Sequence, residues 1–101
     1  MSRRRLVVRL EAEIDLAEAA LWYEDRQAGL GLDFVAEVRA AIRRAVRNPL
    51  IYLRLRKRPE VRRLLSRRFP YRILYIVRDD AIVVFAILHA ARRDRHWRRR
   101  L

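Results

Sequence analysis

At 101 residues, the chain has room for one domain with a single modest core. It has no cysteine, which excludes disulfides and thiolate metal sites, and 52% of it is hydrophobic, enough to fold despite heavy charge. The formal net charge of +13 is unevenly placed: residues 1–48 hold nine Arg against eight Asp or Glu, and residues 49–101 hold sixteen Lys or Arg against four. A basic half of this kind attracts phosphate backbones or an acidic protein segment.

The opening MSRRR is followed by only a short apolar pair, and no apolar run approaches membrane-spanning length, so a soluble cytoplasmic protein without a membrane partner is expected. Leu6-Val7-Val8-Arg9-Leu10 is short and β-prone, a first strand. From Glu13 to about Gln27 the period becomes helical, with Ile14, Ala17, Ala20 and Leu21 on one face and Leu16 at its margin. Glu11, Glu13 and Asp15 suit the positive end of that helix's dipole, and Trp22-Tyr23 closes its apolar part as a cap on the core.

Both glycines fall in Ala28-Gly29-Leu30-Gly31. Gly29 can supply the left-handed residue that ends one helix, and Gly31 is expected to keep the link flexible. The GLG run lacks the Lys-Ser/Thr and the preceding strand of a phosphate loop. A second helix is expected from about Leu32 to Arg47. Phe34, Val38, Ala41, Ile42 and Ala45 share an apolar arc, Glu37, Arg43, Arg44 and Arg47 lie opposite, and Asn48-Pro49 stops the helix.

Leu50 to Glu60 reads as an irregular or partly extended basic connector, and Val61–Phe69 as a strand of imperfect alternation. Beyond Pro70, the runs Tyr71–Val77 and Ala81–Leu88 flank Asp79-Asp80, the composition of two strands joined by a tight turn. The order strand, helix, helix, strand, strand, strand predicts an α+β domain. A helical hairpin covers one face of a mainly antiparallel sheet, and a basic tail follows at about 92–101.

A two-residue turn at Asp79-Asp80 sets the register as Arg78–Ala81, Ile76–Val83, Leu74–Phe85 and Arg72–Ile87. One face then carries Tyr71, Ile73, Tyr75, Val77, Ile82, Val84, Ala86 and Leu88, uncharged and suited to the helices. The other carries Arg72, Leu74, Ile76, Val83, Phe85, Ile87 and His89, and a site for an anion is expected there. Arg62, Arg67, Arg68, Arg93, Arg95 and His96 are further candidates for binding an anionic partner, with Trp97 as an anchor for the tail. Two histidines without adjacent carboxylates make no metal site, and no cofactor is expected.

Several of these features also occur together in one known family. They are Ala12, Asp15, Leu16 and Trp22-Tyr23 in the first helix, Gly29 before Phe34, Pro49 after the second helix, and above all FPYRILYIVRDDAIVVFAILHAARRDRHW over residues 69–97. Together they resemble the RelE/ParE superfamily of toxins (plasmid stabilisation proteins) of type II toxin–antitoxin systems. The resemblance implies a small bacterial toxin that inhibits growth until a cognate antitoxin wraps it. It leaves two targets open, DNA gyrase for ParE-like members and mRNA in the ribosomal A site for RelE-like members.

An mRNA-cutting, metal-independent site needs a base for the ribose 2′-OH, cations for the phosphorane and a proton donor. Carried over by position, Arg72 matches the arginine of the Tyr-Arg strand, Arg92 the arginine after the last strand, and Arg63 lies near a position held by lysine. Leu65 stands where a second basic residue belongs, and no Tyr follows Tyr75. His89 or His96 could serve as acid–base groups instead. The incomplete set favours the gyrase-directed type, with an acidic antitoxin as partner. The mRNA endonuclease is the alternative, and a plain nucleic-acid-binding domain rests on charge alone.

Overall fold

The computed structural model describes residues 4–91 and 95–101, with the backbone alone at 95 and 96. The elements run β1 (Arg5–Val8), α1 (Leu10–Arg26), α2 (Leu30–Arg47), β2 (Leu53–Arg54), β3 (Val61–Leu65), β4 (Tyr71–Val77), β5 (Ala81–His89) and α3 (Arg95–Arg98). The strands form one sheet in the order β1-β5-β4-β3-β2. β1 lies parallel to β5, and every other neighbouring pair is antiparallel. The helical hairpin α1–α2 packs on one face, so the expected α+β architecture is the one observed. β2 and α3 are additions to the expected order, and Val61–Phe69 is strand only as far as Leu65. Beyond it Phe69 folds inward, its carbonyl accepting the Tyr71 N–H at 2.8 Å.

Arg9 makes the junction from β1 to α1. Its N–H donates to the Val84 carbonyl at 2.9 Å, the last link of the parallel pair, while its own carbonyl accepts the Glu13 N–H as the first link of the helix. The helix thus starts at Leu10, three residues earlier than its apolar period suggests. Its buried side also differs. Ala12 and Ala19 are buried, with Leu16, Ala20 and Tyr23 packed against the core, whereas Ile14, Ala17 and Leu21 face outward. Alanines occupy the fully buried positions because α1 runs close to α2 and to β5 at once, and Leu16 and Tyr23 pack beside them.

The α2 face agrees with its periodicity: Phe34, Val38, Ala41, Ile42 and Ala45 are all buried. Gly29 adopts φ +88° at the hairpin turn, the left-handed conformation glycine tolerates. Gly31 is not a flexible link. It lies inside α2, and a Cβ there would stand 2.6 Å from the Ala20 carbonyl oxygen, so its role is to let the two helices touch. The Glu24 carboxylate closes the turn by accepting the N–H groups of Gly29 and Gly31 at 2.9 and 3.0 Å. Behind it, Tyr23, Phe34, Phe69 and Tyr71 form an aromatic cluster with ring centroids 4.8–6.2 Å apart.

The β4–β5 hairpin begins as expected. Arg78 donates to the Ala81 carbonyl at 2.7 Å across the turn, and Ile76 pairs with Val83. The register then slips: Tyr75 pairs with Val84 and Leu74 with Ala86, leaving Phe85 as an extra residue, a β-bulge. Arg72 consequently pairs with Leu88 rather than Ile87, and Tyr71 with His89. A one-residue slip exchanges faces. Ile87 therefore joins the helix-side core, while Ala86 and Leu88 join Phe85, Leu74, Ile76, Val61 and Trp97 in a second cluster on the opposite face.

The bulge has an evident support. β1 pairs with β5 only as far as Val84, so the far half of β5 has an unpaired edge. There Asp15 of α1 accepts the Ile87 N–H at 3.0 Å. Arg100 grips the same carboxylate with two N–H groups at 2.6 and 3.1 Å and donates to the Phe85 carbonyl at 3.1 Å. The ion pair holds the Arg100 guanidinium above its ordinary pKa, mainly through the Asp15 hydrogen bond.

Two outcomes are expected for stability. Gly31→Ala should lower the unfolding free energy by about 1–3 kcal/mol in urea denaturation, because the obstructing atom is backbone and cannot swing aside. Asp15→Ala should cost about 2–4 kcal/mol, since it orphans both the Ile87 N–H and a half-buried guanidinium. A combined Asp15→Ala/Arg100→Leu variant should recover part of that loss, measured in the same denaturation series.

Candidate functional site

The sheet face turned away from the helices is divided in two by the C-terminal segment. Over β5, Trp97 is 1% exposed and lies edge-on to Phe85 at 5.7 Å, sealing the second cluster. The Arg9 guanidinium donates to the Arg100 carbonyl at 2.8 Å and fastens the chain end. Beside it, over β2, β3 and the start of β4, a pocket of about 510 Å³ is lined by Leu53, Arg54, Leu55, Arg56, Arg63 and Arg72.

Strand pairing explains why these residues meet. Arg63 lies opposite Leu53 on one side and Leu74 on the other, while Arg72 lies opposite Leu65, so both arginines stand on the open face, two positions apart across the β3–β4 ladder. Arg72 is deeper, at 8% exposure, and its neighbourhood is packed. Arg54 donates from Nε to the Pro59 carbonyl at 3.1 Å, tying β2 to the loop that precedes β3. Arg58 next to it is engaged by Glu60 at 2.8 Å, and that hydrogen bond holds the Glu60 carboxyl below its ordinary pKa. Two strand arginines, Arg63 and Arg72, thus line a cavity with Arg54, Arg56 and two leucines, a lining suited to carboxylates or phosphates attached to apolar groups. Exposed Leu53 and Leu65, opposite Arg63 and Arg72, continue this surface on the same face.

The expected site residues are distributed differently from their sequence grouping. Arg63 and Arg72 come together. His89 does not join them: the bulge carries it to the helix side, where its ring meets Tyr71 edge-on at 5.4 Å and its Nδ1 accepts the Ala91 N–H at 3.1 Å. Arg62 points to the helix side and donates to the Leu50 and Tyr52 carbonyls at 3.0 and 2.9 Å, bracing the connector. Arg68 pairs with Asp33 of α2 at 3.3 Å and lies over Phe69, and Arg67 is exposed, its N–H bound to Glu37 at 3.2 Å. Arg92 and Arg93 lie outside the described residues, as do the side chains of Arg95 and His96.

Arg54, Arg56, Leu53 and Leu55 also line the pocket, from a basic, proline-bounded stretch whose composition is that of an irregular connector. The strict Leu-Arg-Leu-Arg alternation over 53–56 was the available signal. Tyr75, the last tyrosine in the chain, lies on the helix side, fully buried, donating to the Pro49 carbonyl at 2.7 Å. Burial pushes its hydroxyl up to about 12, far from a group that exchanges protons at neutral pH.

A family model described as the ParE toxin of the type II toxin-antitoxin system, parDE, matches residues 6–94, nearly the whole chain. The chain belongs to the ParE toxin family. Its fold is similar to that of a chain from a solved structure, the chromosomal ParDE TA system from P. aeruginosa. The two agree with a TM-score of 0.75 over 86% of this chain and 96% of that one, at 20% identity. No curated protein matches the sequence. In this ParE-family toxin, the open Arg pocket is thus a feature of a toxin of a type II system.

Tyr75 yields a pH prediction. With its folded pKa raised to about 12 from 10.0, the unfolded chain releases the proton first, so stability present below pH 10 should decline as pH rises toward 12. Tyr75→Phe should start about 1 kcal/mol less stable at pH 7, having lost the Pro49 hydrogen bond, and should show a shallower alkaline decline in thermal melts across that window.

Proposed function

We propose that this ParE-family toxin arrests bacterial growth in the cytoplasm by binding DNA gyrase rather than by cutting RNA, and that an acidic antitoxin segment neutralises it. The observation that carries the reading is the composition of the pocket, with Arg54, Arg56, Arg63, Arg72, Leu53 and Leu55 as its lining. Guanidinium groups stay protonated at every physiological pH. They can hold an anion or stabilise a phosphorane, but they cannot take a proton from a 2′-OH or return one to a leaving oxygen. His89 and Tyr75 are on the other face of the sheet. An antitoxin segment carrying carboxylates and apolar side chains fits the same pocket and its leucine-rich edge, each carboxylate meeting a guanidinium.

A RelE-like reading has one observation in its favour: Arg63 and Arg72, the cations it requires, do share a pocket. The two are separated by inducing the chain in a bacterium without antitoxin, mapping mRNA 5′ ends, and assaying supercoiling by purified gyrase. Intact mRNA with inhibited supercoiling is expected. Codon-phased cuts in translated mRNA that vanish in Arg72→Ala would replace the gyrase reading with the nuclease. For the antitoxin, a double Arg54→Glu/Arg56→Glu change should weaken binding by roughly 10–100-fold at low salt, with the difference shrinking as salt is raised.

A further inference from the structure

The basic pocket is one pole of the molecule. α1 is the other. It holds six of the chain's twelve carboxylates, Glu11, Glu13, Asp15, Glu18, Glu24 and Asp25, against one cation, Arg26, in a chain of net charge +13. Its outward side is apolar where a lone surface helix is normally polar. Leu10, Ile14, Ala17 and Leu21 are all exposed, the three larger ones by 71%, 47% and 70%. Their spacing of four, three and four residues places them in a single straight row at roughly 3.6 residues per turn, directly opposite buried Ala12 and Ala19. Exposed Glu18 and Asp25 border the row on one side, and exposed Glu13 and Glu24 on the other. At the helix end Trp22 is 51% exposed, with the Arg26 guanidinium 3.7 Å from its ring centre.

We propose that this face of α1 is a second docking surface, built for an amphipathic helix of a partner protein whose apolar row is flanked by Lys or Arg. The row has the a/d spacing of a helix–helix seam, and its acidic borders occupy the positions that choose a partner by charge. The same borders reject two alternatives. A second copy meeting α1 against α1 sets carboxylates against carboxylates, and an acidic segment of the kind that fits the Arg pocket is repelled likewise. The α1 face and the Arg pocket lie on opposite faces of the sheet, so both can be occupied at once. The toxin can therefore hold an acidic partner and a basic one together.

The test uses the full chain and two labelled synthetic peptides of about eighteen residues, each with leucine at a and d positions. One has lysine and arginine at the flanking positions and the other glutamate. Fluorescence anisotropy at low salt should show the basic peptide binding at least tenfold tighter than its acidic twin. That binding should be lost in Ile14→Asp and in Leu21→Asp, both checked for an unchanged thermal melt, and retained in Arg54→Glu/Arg56→Glu. Reversing the charge of the borders, with Glu18→Lys and Asp25→Lys, should move the preference toward the acidic peptide. Equal binding of both peptides, or binding of neither, would overturn the proposal. A wild-type dimer in sedimentation that becomes monomeric in Leu21→Asp would also overturn it, in favour of a second copy as the occupant.

Discussion

Asp15 accepts hydrogen bonds from three directions: the Ile87 N–H of the central hairpin and both terminal nitrogens of Arg100. Helical layer, sheet and chain end are joined at this carboxylate, beside the place where β5 bulges. A bulge leaves backbone groups that the ladder cannot satisfy, and an unpaired strand edge leaves more. Asp15 and Arg100 supply those partners, the carboxylate for an N–H and the guanidinium for the Phe85 carbonyl. Much of the architecture depends on this clamp. It sets the rotation of α1, and hence which of its residues face the core. It also draws the C-terminal segment across the sheet, so that Trp97 can seal the second cluster.

The functional layout follows from that arrangement. With Trp97 covering the β5 side of the outer sheet face, the pocket lies over β2, β3 and the start of β4, and there Arg63 and Arg72 join Arg54 and Arg56. With α1 turned so that Asp15 reaches β5, its larger apolar residues point to solvent between acidic borders. A basic pocket and an acidic, apolar helix face thus sit on opposite sides of one small domain. Charge separation of this kind orients a protein toward its partners before contact and sorts them by sign.

Much of the fold was legible in the residues because local patterns and tertiary needs coincide there. α2 shows this best, its Phe34-Val38-Ala41-Ile42-Ala45 arc being also its buried face. The turn at Asp79-Asp80 and the pairing nearest to it were equally readable. α1 misled because hydrophobicity favours burying Ile14 and Leu21, whereas close packing requires Ala12 and Ala19 inside. The site was legible in part. Arg63 and Arg72 lie on regular strands, where period-two alternation tracks facing, but His89 lies beyond the bulge, where the count is displaced by one. Arg54 belongs to a two-residue strand, and Arg56 lies beyond its end, where no ladder extends the alternation.

By itself the sequence determined the class of fold, the basic C-terminal half and the family, since these depend on composition, element order and short-range spacing. Tertiary structure decided which faces those elements present. A bulge moves half a strand to the opposite side, and a buried carboxylate can turn a helix against its own hydrophobic preference. Neither effect leaves a local signature, because each arises from backbone groups at Phe85 and Ile87 meeting side chains some seventy positions earlier, at Asp15, or near the chain end, at Arg100. What the Arg pocket and the outer face of α1 can bind follows from those long-range contacts.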